Sequence, residues 1–263
     1  MRPTSGQRRD GVRRHQTRLF DVSVREPKAD VIPLLILNGV GARESTLTEL
    51  RRHIDRPTVA FEVQPRHLGI RPSLRTFAKN LSEMLDELDV AAVDVLGLSW
   101  GGMAAQQFAH DHSPRVRRLV LASTTPGFLS VPAKPASTAA LLRPKMSSGR
   151  AAQLNKHLYA GDFLHDPSLI HKLGLLWPSD RRTYHLQMVS VLGWSSLPWL
   201  PMVRQQTLIL HGDDDPVVPI VNARIMQRLL PNAAMSPVPR GGHLYLYTRP
   251  QQLGRLITDF LTA

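Results

Sequence analysis

The chain has 263 residues, 42% of them hydrophobic, and a formal net charge of +12 from 33 Lys and Arg against 21 Asp and Glu. That length and apolar content suit one α/β-sized domain carrying an insertion, large enough to bury a sizeable core. There is no cysteine, which excludes disulfides and thiolate zinc sites, and no apolar run reaches membrane-spanning length.

Part of the charge is local. Met1 to Arg18 holds six arginines and one aspartate, and residues 1–16 read as a basic, disordered tail. The pairs Arg8-Arg9 and Arg13-Arg14 are followed by Leu19-Phe20-Asp21-Val22-Ser23-Val24, an alternating strand pattern and not an apolar signal core. Export is therefore not expected, and a cytoplasmic location is. The tail suits weak contact with an anionic surface, without specific nucleic-acid recognition.

Beyond the tail, strand and helix signals alternate. After the lead-in strand near Leu19 to Val24, Leu34-Leu35-Ile36-Leu37 is apolar on both faces, as a buried parallel strand must be, and it ends in the turn Asn38-Gly39-Val40-Gly41. Thr58 to Val63 is the next predicted strand. Leu74, Phe77, Ala78, Leu81, Met84, Leu85 and Leu88 recur at helical spacing. Val93 to Leu96 and Val116 to Ala122 are strands on either side of a helix that begins near Met103. Such alternation implies a parallel sheet with right-handed crossovers.

The alternation stops at Thr125. Residues 126–201 hold Phe128, Tyr159, Phe163, Trp177, Tyr184, Trp194 and Trp199 among short helical patterns interrupted by prolines. This stretch is expected to be a helical cap over the strand ends, where ligands bind in such sheets, with some rings holding the cap together and others facing the site. The core is then 17–125 and 202–263.

Three motifs carry chemistry, each just past a predicted strand. Gly97-Leu98-Ser99-Trp100-Gly101-Gly102 lies between strand and helix, the context of a nucleophile elbow, where a serine hydroxyl stands clear on a sharp turn. Gly97 and Gly101 leave room for that turn. Gly212-Asp213-Asp214-Asp215-Pro216 follows Thr207 to Leu210, and Arg240-Gly241-Gly242-His243 follows Ala234 to Val238. The chain order Ser, Asp, His is that of α/β-hydrolases, a mostly parallel sheet flanked by helices. Ser99 is the expected nucleophile and His243 the base. Asp215, three residues after the glycine, is the expected acid, with Asp213 and Asp214 left to turn chemistry. The expected oxyanion donors are the backbone N–H groups of Val40 and Trp100, and the Trp100 indole is expected beside an apolar acyl pocket. His110, His112, His157 and His211 read as surface or packing residues, with a supporting hydrogen bond possible for His211. No metal or cofactor is called for.

The chain resembles the intracellular poly(3-hydroxyalkanoate) depolymerases that act on medium-chain-length polyester. The resemblance rests on Leu37-Asn38-Gly39-Val40-Gly41-Ala42, on the elbow continued through Ala105-Gln106-Gln107-Phe108-Ala109-His110-Asp111, and on the acid and histidine motifs. Tyr159-Ala160-Gly161-Asp162-Phe163 and Leu192-Gly193-Trp194-Ser195-Ser196 extend it into the more divergent cap. It implies a carboxylic ester hydrolase with the triad on Ser99, Asp215 and His243 and an ester or polyester substrate. One departure is Gln64-Pro65-Arg66-His67-Leu68-Gly69, where the family has a glycine-rich loop; Arg66 and His67 are expected near the site entrance. Other readings of the same motifs are a small-molecule esterase or lipase, a carbon–carbon bond hydrolase, a cofactor-free perhydrolase, and an idle member that binds polymer or a partner.

Overall fold

A computed structural model describes residues 12–25, 31–142, 160–169 and 180–263. Residues 1–11 of the tail, together with Tyr159 and Trp177, lie outside the described residues. Eight strands form one sheet: β1 (Val12–Gln16), β2 (Asp21–Arg25), β3 (Leu34–Leu37), β4 (Thr58–Phe61), β5 (Val93–Leu98), β6 (Val116–Ala122), β7 (Gln206–Gly212) and β8 (Ala233–Val238), in the order β1-β2-β4-β3-β5-β6-β7-β8. The pairs β1–β2 and β2–β4 are antiparallel, and every other neighbouring pair is parallel.

Among the described residues, the α-helices are α1 (Thr48–Arg52), α2 (Pro65–Leu68), α3 (Leu74–Glu87), α4 (Trp100–Asp111), α5 (Pro135–Leu142), α6 (Asp162–His165), α7 (Arg181–Ser190), α8 (Val221–Leu229), α9 (Tyr245–Thr248) and α10 (Pro250–Thr262). Among the described residues, α5, α6 and α7 fall in the long insertion between β6 and β7. No described helix is long and apolar enough to cross a membrane.

The apolar strands are buried on both faces because the two faces serve separate cores. Leu35 and Leu37 of β3 pack with Phe77, Leu81, Ala104 and Phe108 from α3 and α4. Leu34 and Ile36 pack with Leu50 of α1 and with Leu253, Ile257 and Leu261 of α10. The expected helix at Leu74 is present and capped by Ser73, whose side chain accepts from the Thr76 N–H.

The expected tail needs correction. Val12–Gln16 is not a floppy terminus but an edge strand, paired residue by residue with Arg25–Asp21, so residues 12–16 belong to the sheet. Its side chains alternate little in burial because β1 has a neighbour on one side only. An Arg-rich edge also discourages pairing with another chain.

The register matters most for the site. Leu37 is opposite Gly97, Leu98 is opposite Ala122, Ala122 is opposite Leu210, and Gly212 is opposite Val238. The carboxyl ends of β3, β5, β6, β7 and β8 are thus level. The loops that follow them, holding Gly39–Gly41, Ser99, Asp215 and His243, emerge at one end of the sheet.

Candidate active site

The elbow is built by close approach of strand and helix. Ser99 has φ 54° and ψ −116°, a conformation in which a non-glycine residue is strained by roughly 1–3 kcal/mol. A Cβ on Gly97 would lie 2.5 Å from the Gly101 carbonyl oxygen, and one on Gly101 would lie 2.0 Å from the Leu37 carbonyl oxygen. Only glycines allow α4 to start against β3 and β5. Ser99 N donates to Ala122 O at 2.9 Å, and Thr124 Oγ1 donates to Ser99 O at 2.7 Å, so the strained residue is held from the neighbouring strand.

The three motif residues converge. His243 Nε2 lies 3.1 Å from Ser99 Oγ, and His243 Nδ1 lies 2.8 Å from Asp215 Oδ2. A carboxylate only accepts, so Nδ1 carries the proton and Nε2 faces the serine hydroxyl. Asp215 alone of the three consecutive aspartates is buried; Asp213 and Asp214 are exposed. Its second oxygen, Oδ1, accepts from Val217 N at 2.8 Å and Val218 N at 2.9 Å. Burial by itself would raise the Asp215 pKa, but neighbouring His243 and the donated hydrogen bonds hold it below the usual carboxylate value.

His211, read from the chain as a surface or packing residue with a supporting hydrogen bond left open, is buried at the end of β7. Its Nε2 is 2.8 Å from Val218 O and 3.8 Å from Asp215 Oδ2. Burial lowers its pKa, outweighing the attraction of Asp215. It is a neutral brace for the loop that presents the aspartate.

Two expectations about side chains fail. Trp100 does not line a pocket beside Ser99: the indole is 2% exposed, edge-on to Phe77, and donates to Gln187 O at 3.0 Å and Ser190 Oγ at 3.1 Å. The first turn of α4 points its ring into the core, and its N–H finds acceptors in α7. His67 and Arg66 are likewise not at an entrance. His67 is fully buried, stacked on Phe20; its Nδ1 accepts from Gln64 N and its Nε2 contacts Leu19 O at 2.8 Å. Arg66 reaches Leu19 O and Asp21. Both brace the β2 lead-in.

The loop after β3 lies close to the nucleophile, since a Cβ on Gly39 would be 3.8 Å from Ser99 Cβ. Asn38 ties it down: its Oδ1 accepts from Gly39 N at 2.8 Å and from Tyr247 OH at 2.7 Å, and its Nδ2 donates to Thr46 Oγ1 at 2.8 Å. Val40 occupies the tip between Gly39 and Gly41.

The insertion contributes residues whose partners no local motif announced. Gln187 Oε1 accepts from Gly41 N at 2.9 Å. Asp162 of α6 receives Arg249 Nε at 3.0 Å and Nη2 at 2.9 Å, while Arg249 Nη1 donates to Pro239 O at 2.7 Å. That pair fastens the insertion to the loop carrying His243, where Gly161 and Gly242 meet so closely that a Cβ on Gly161 would lie 2.3 Å from Gly242 N. Of the insertion aromatics, Tyr184 and Phe163 are buried. Trp194 bonds to Gln107 Oε1 at 2.7 Å and packs edge-on against Trp199, and Phe128 is exposed. Among the described residues, no cluster of His, Asp and Glu is arranged to hold a metal.

A strained serine elbow on a mostly parallel sheet, with this loop order, defines a class. The chain belongs to the alpha/beta hydrolase family, whose model matches residues 34–256. It is 36% identical over 251 residues to a poly(3-hydroxyalkanoate) depolymerase of Ectopseudomonas oleovorans, covering 91% of this chain and 87% of that one. It is 27% identical to a 2-hydroxy-6-oxo-2,4-heptadienoate hydrolase of Pseudomonas putida, over 94% and 93% of the two chains. Among solved structures, the fold is similar to a hydrolase from Pseudomonas aeruginosa (TM-score 0.74, 21% identity, 99% and 98% covered). It is also similar to the enol-lactonase from Burkholderia xenovorans (TM-score 0.77, 15% identity, 97% and 98% covered). The resemblance to the depolymerases read from the motifs therefore extends along most of the chain.

Proposed function

We propose that this hydrolase cleaves carboxylic esters through Ser99, His243 and Asp215 by way of an acyl-enzyme, and that its substrate is a polyester or ester with medium-length acyl groups. The observation that carries the reading is the unbroken relay Ser99 Oγ–His243 Nε2 at 3.1 Å and His243 Nδ1–Asp215 Oδ2 at 2.8 Å. In the first half-reaction, His243 takes the Ser99 proton as Oγ bonds to the ester carbonyl carbon. The carbonyl oxygen becomes an oxyanion, held by the N–H groups of Val40 and Trp100, a pair of donors each worth roughly 3 kcal/mol. His243 then returns the proton to the departing alkoxide as the acyl C–O bond breaks. In the second half-reaction, water loses a proton to His243, attacks the acyl-serine and releases the acid. Asp215 keeps the imidazole in the required tautomer and stays ionised throughout.

In this reading residues 126–201 form a cap over the site, and residues 12–125 and 202–263 form the core. The 36% identity to the depolymerase, extending through most of the chain, supports an ester substrate over the carbon–carbon bond of the more distant relatives. The test compares soluble p-nitrophenyl esters, a medium-chain polyester suspension and a dienoate substrate of the bond-cleaving class. The expected result is turnover of polyester and ester, with kcat/KM rising from acetyl toward octanoyl, each buried CH₂ contributing up to about 0.8 kcal/mol. A flat or falling series points to a small-acyl esterase, and exclusive turnover of the dienoate overturns the ester reading.

A further inference from the structure

Gln187 stands in α7 and is 1% exposed. Its side-chain oxygen accepts the Gly41 N–H at 2.9 Å, and its main-chain oxygen accepts the Trp100 indole N–H at 3.0 Å. Ser190 Oγ, one turn on, closes the group by donating to Gln187 O at 2.6 Å and accepting from the same indole at 3.1 Å. One residue of the insertion therefore grips both segments that carry the oxyanion donors: the loop with Val40 at its tip, and the residue that follows the nucleophile.

That loop needs a grip. Gly39 and Gly41 flank Val40, and Gly41 sits at φ 65°, so the Val40 N–H, on the peptide after Gly39, belongs to a turn bordered by two residues with wide conformational freedom. The core fixes the first of them through the bond from Gly39 N to Asn38 Oδ1. Gln187 Oε1 fixes the second by accepting its N–H. The other end of that amide has the opposite character: Nε2 is buried without a hydrogen-bond partner. Leaving a buried donor unpaired lowers stability, and a methionine of similar volume would remove the unpaired Nε2 but leave the Gly41 N–H without its acceptor. The amide is oriented by the loop beside the nucleophile: its acceptor is used there while its donor stays unpaired, which points to geometry needed for the reaction.

We infer that Gln187 is a positioning residue of the oxyanion hole, fixing the Gly39–Gly41 loop and the Trp100 side chain so that the N–H groups of Val40 and Trp100 converge on one point. This rests on the ester-hydrolase reading above. It differs from a pocket-lining role in a measurable way. Every ester places its carbonyl oxygen at the same point, so loosening the hole slows all acyl lengths by one factor. A side chain lining the acyl pocket alters long chains more than short ones.

The experiment measures kcat and KM for p-nitrophenyl acetate and octanoate with the full-length wild type and Gln187→Met, and the affinity of an alkyl trifluoromethyl ketone, whose serine adduct carries an oxyanion. The expected result is a fall in kcat of roughly 10- to 100-fold, equal on both esters, with KM within about twofold and adduct affinity falling in parallel. Activity within about twofold of wild type, a change confined to KM, or a loss on octanoate alone overturns the inference. Should Gln187→Met lack a cooperative unfolding transition, Trp100→Phe decides by the same criteria, since it keeps a buried aromatic ring while removing the indole bonds to α7. Its expected fall in kcat is about fivefold on both esters. A wild type inert toward both esters and toward fluorophosphonate overturns the ester reading and this inference with it. An active wild type beside an equally active variant overturns the positioning role alone.

Discussion

At the scale of single residues, the aspartate assignment turns on burial and reach. Asp213, Asp214 and Asp215 are chemically identical, but only the last turns inward, where two backbone N–H groups take one oxygen and His243 takes the other. Asp215→Asn leaves the shape intact and offers His243 Nδ1 an amide that favours the wrong tautomer. It is expected to lower kcat/KM by roughly 10³- to 10⁴-fold, whereas Asp213→Asn and Asp214→Asn stay within about threefold. Steady-state hydrolysis of one soluble ester by the three variants checks this, and a crippling Asp214→Asn would move the acid by one position. The serine and histidine were legible from the chain because glycines and strand ends surround them. The direction of the Trp100 side chain was not, because the residue after an elbow serine is read from its backbone N–H, while its ring goes wherever the core has room. Here Phe77 and α7 supplied that room.

At the scale of elements, the continuous apolar runs marked β3, β5, β6 and β7 because parallel strands covered on both faces need nothing polar. Edge strand β1 escaped for the opposite reason: Val12-Arg13-Arg14-His15-Gln16 faces solvent along much of its length, so neither alternation nor hydrophobicity signals it. The short helix α2 was hidden too. Gln64 and His67 form a reciprocal cap at its start, with imidazole in the place where glutamate or glutamine is usual. This cap carries a pH dependence. In the folded chain His67 Nδ1 accepts from Gln64 N, so a proton there would face another donor, and burial lowers its pKa from 6.5 to about 4. Between those values the unfolded chain binds a proton that the folded chain does not, so stability falls as pH drops from 6.5 to about 4. The full span corresponds to about 3 kcal/mol, and buried His211, also lowered, acts in the same direction. Urea midpoints at pH 7.5 and 4.5 should therefore differ less for His67→Gln than for the wild type. Equal pH dependence in the two proteins would show that the His67 ring is not the group responsible.

For the molecule as a whole, core and insertion are joined at the site itself. Asp162 with Arg249 holds the His243 loop, Gln187 holds the loop after β3, and Trp194 with Ser196 binds Gln107 and Gln106 on α4. None of these ties was legible from local patterns, since each links residues more than eighty positions apart along the chain. What local patterns did convey was the order of strands and the loops at their ends, which is enough to bring serine, aspartate and histidine together but not to say what aims them. The central claim is that Ser99 is a nucleophile activated by His243. Its most direct test is intact and peptide mass spectrometry after treatment with an alkyl fluorophosphonate, for the wild type, Ser99→Ala and His243→Ala. The expected result is one adduct on the Ser99 peptide of the wild type, none in Ser99→Ala, and labelling slowed by several orders of magnitude in His243→Ala. An unlabelled wild type, or an adduct that persists in Ser99→Ala, would contradict it.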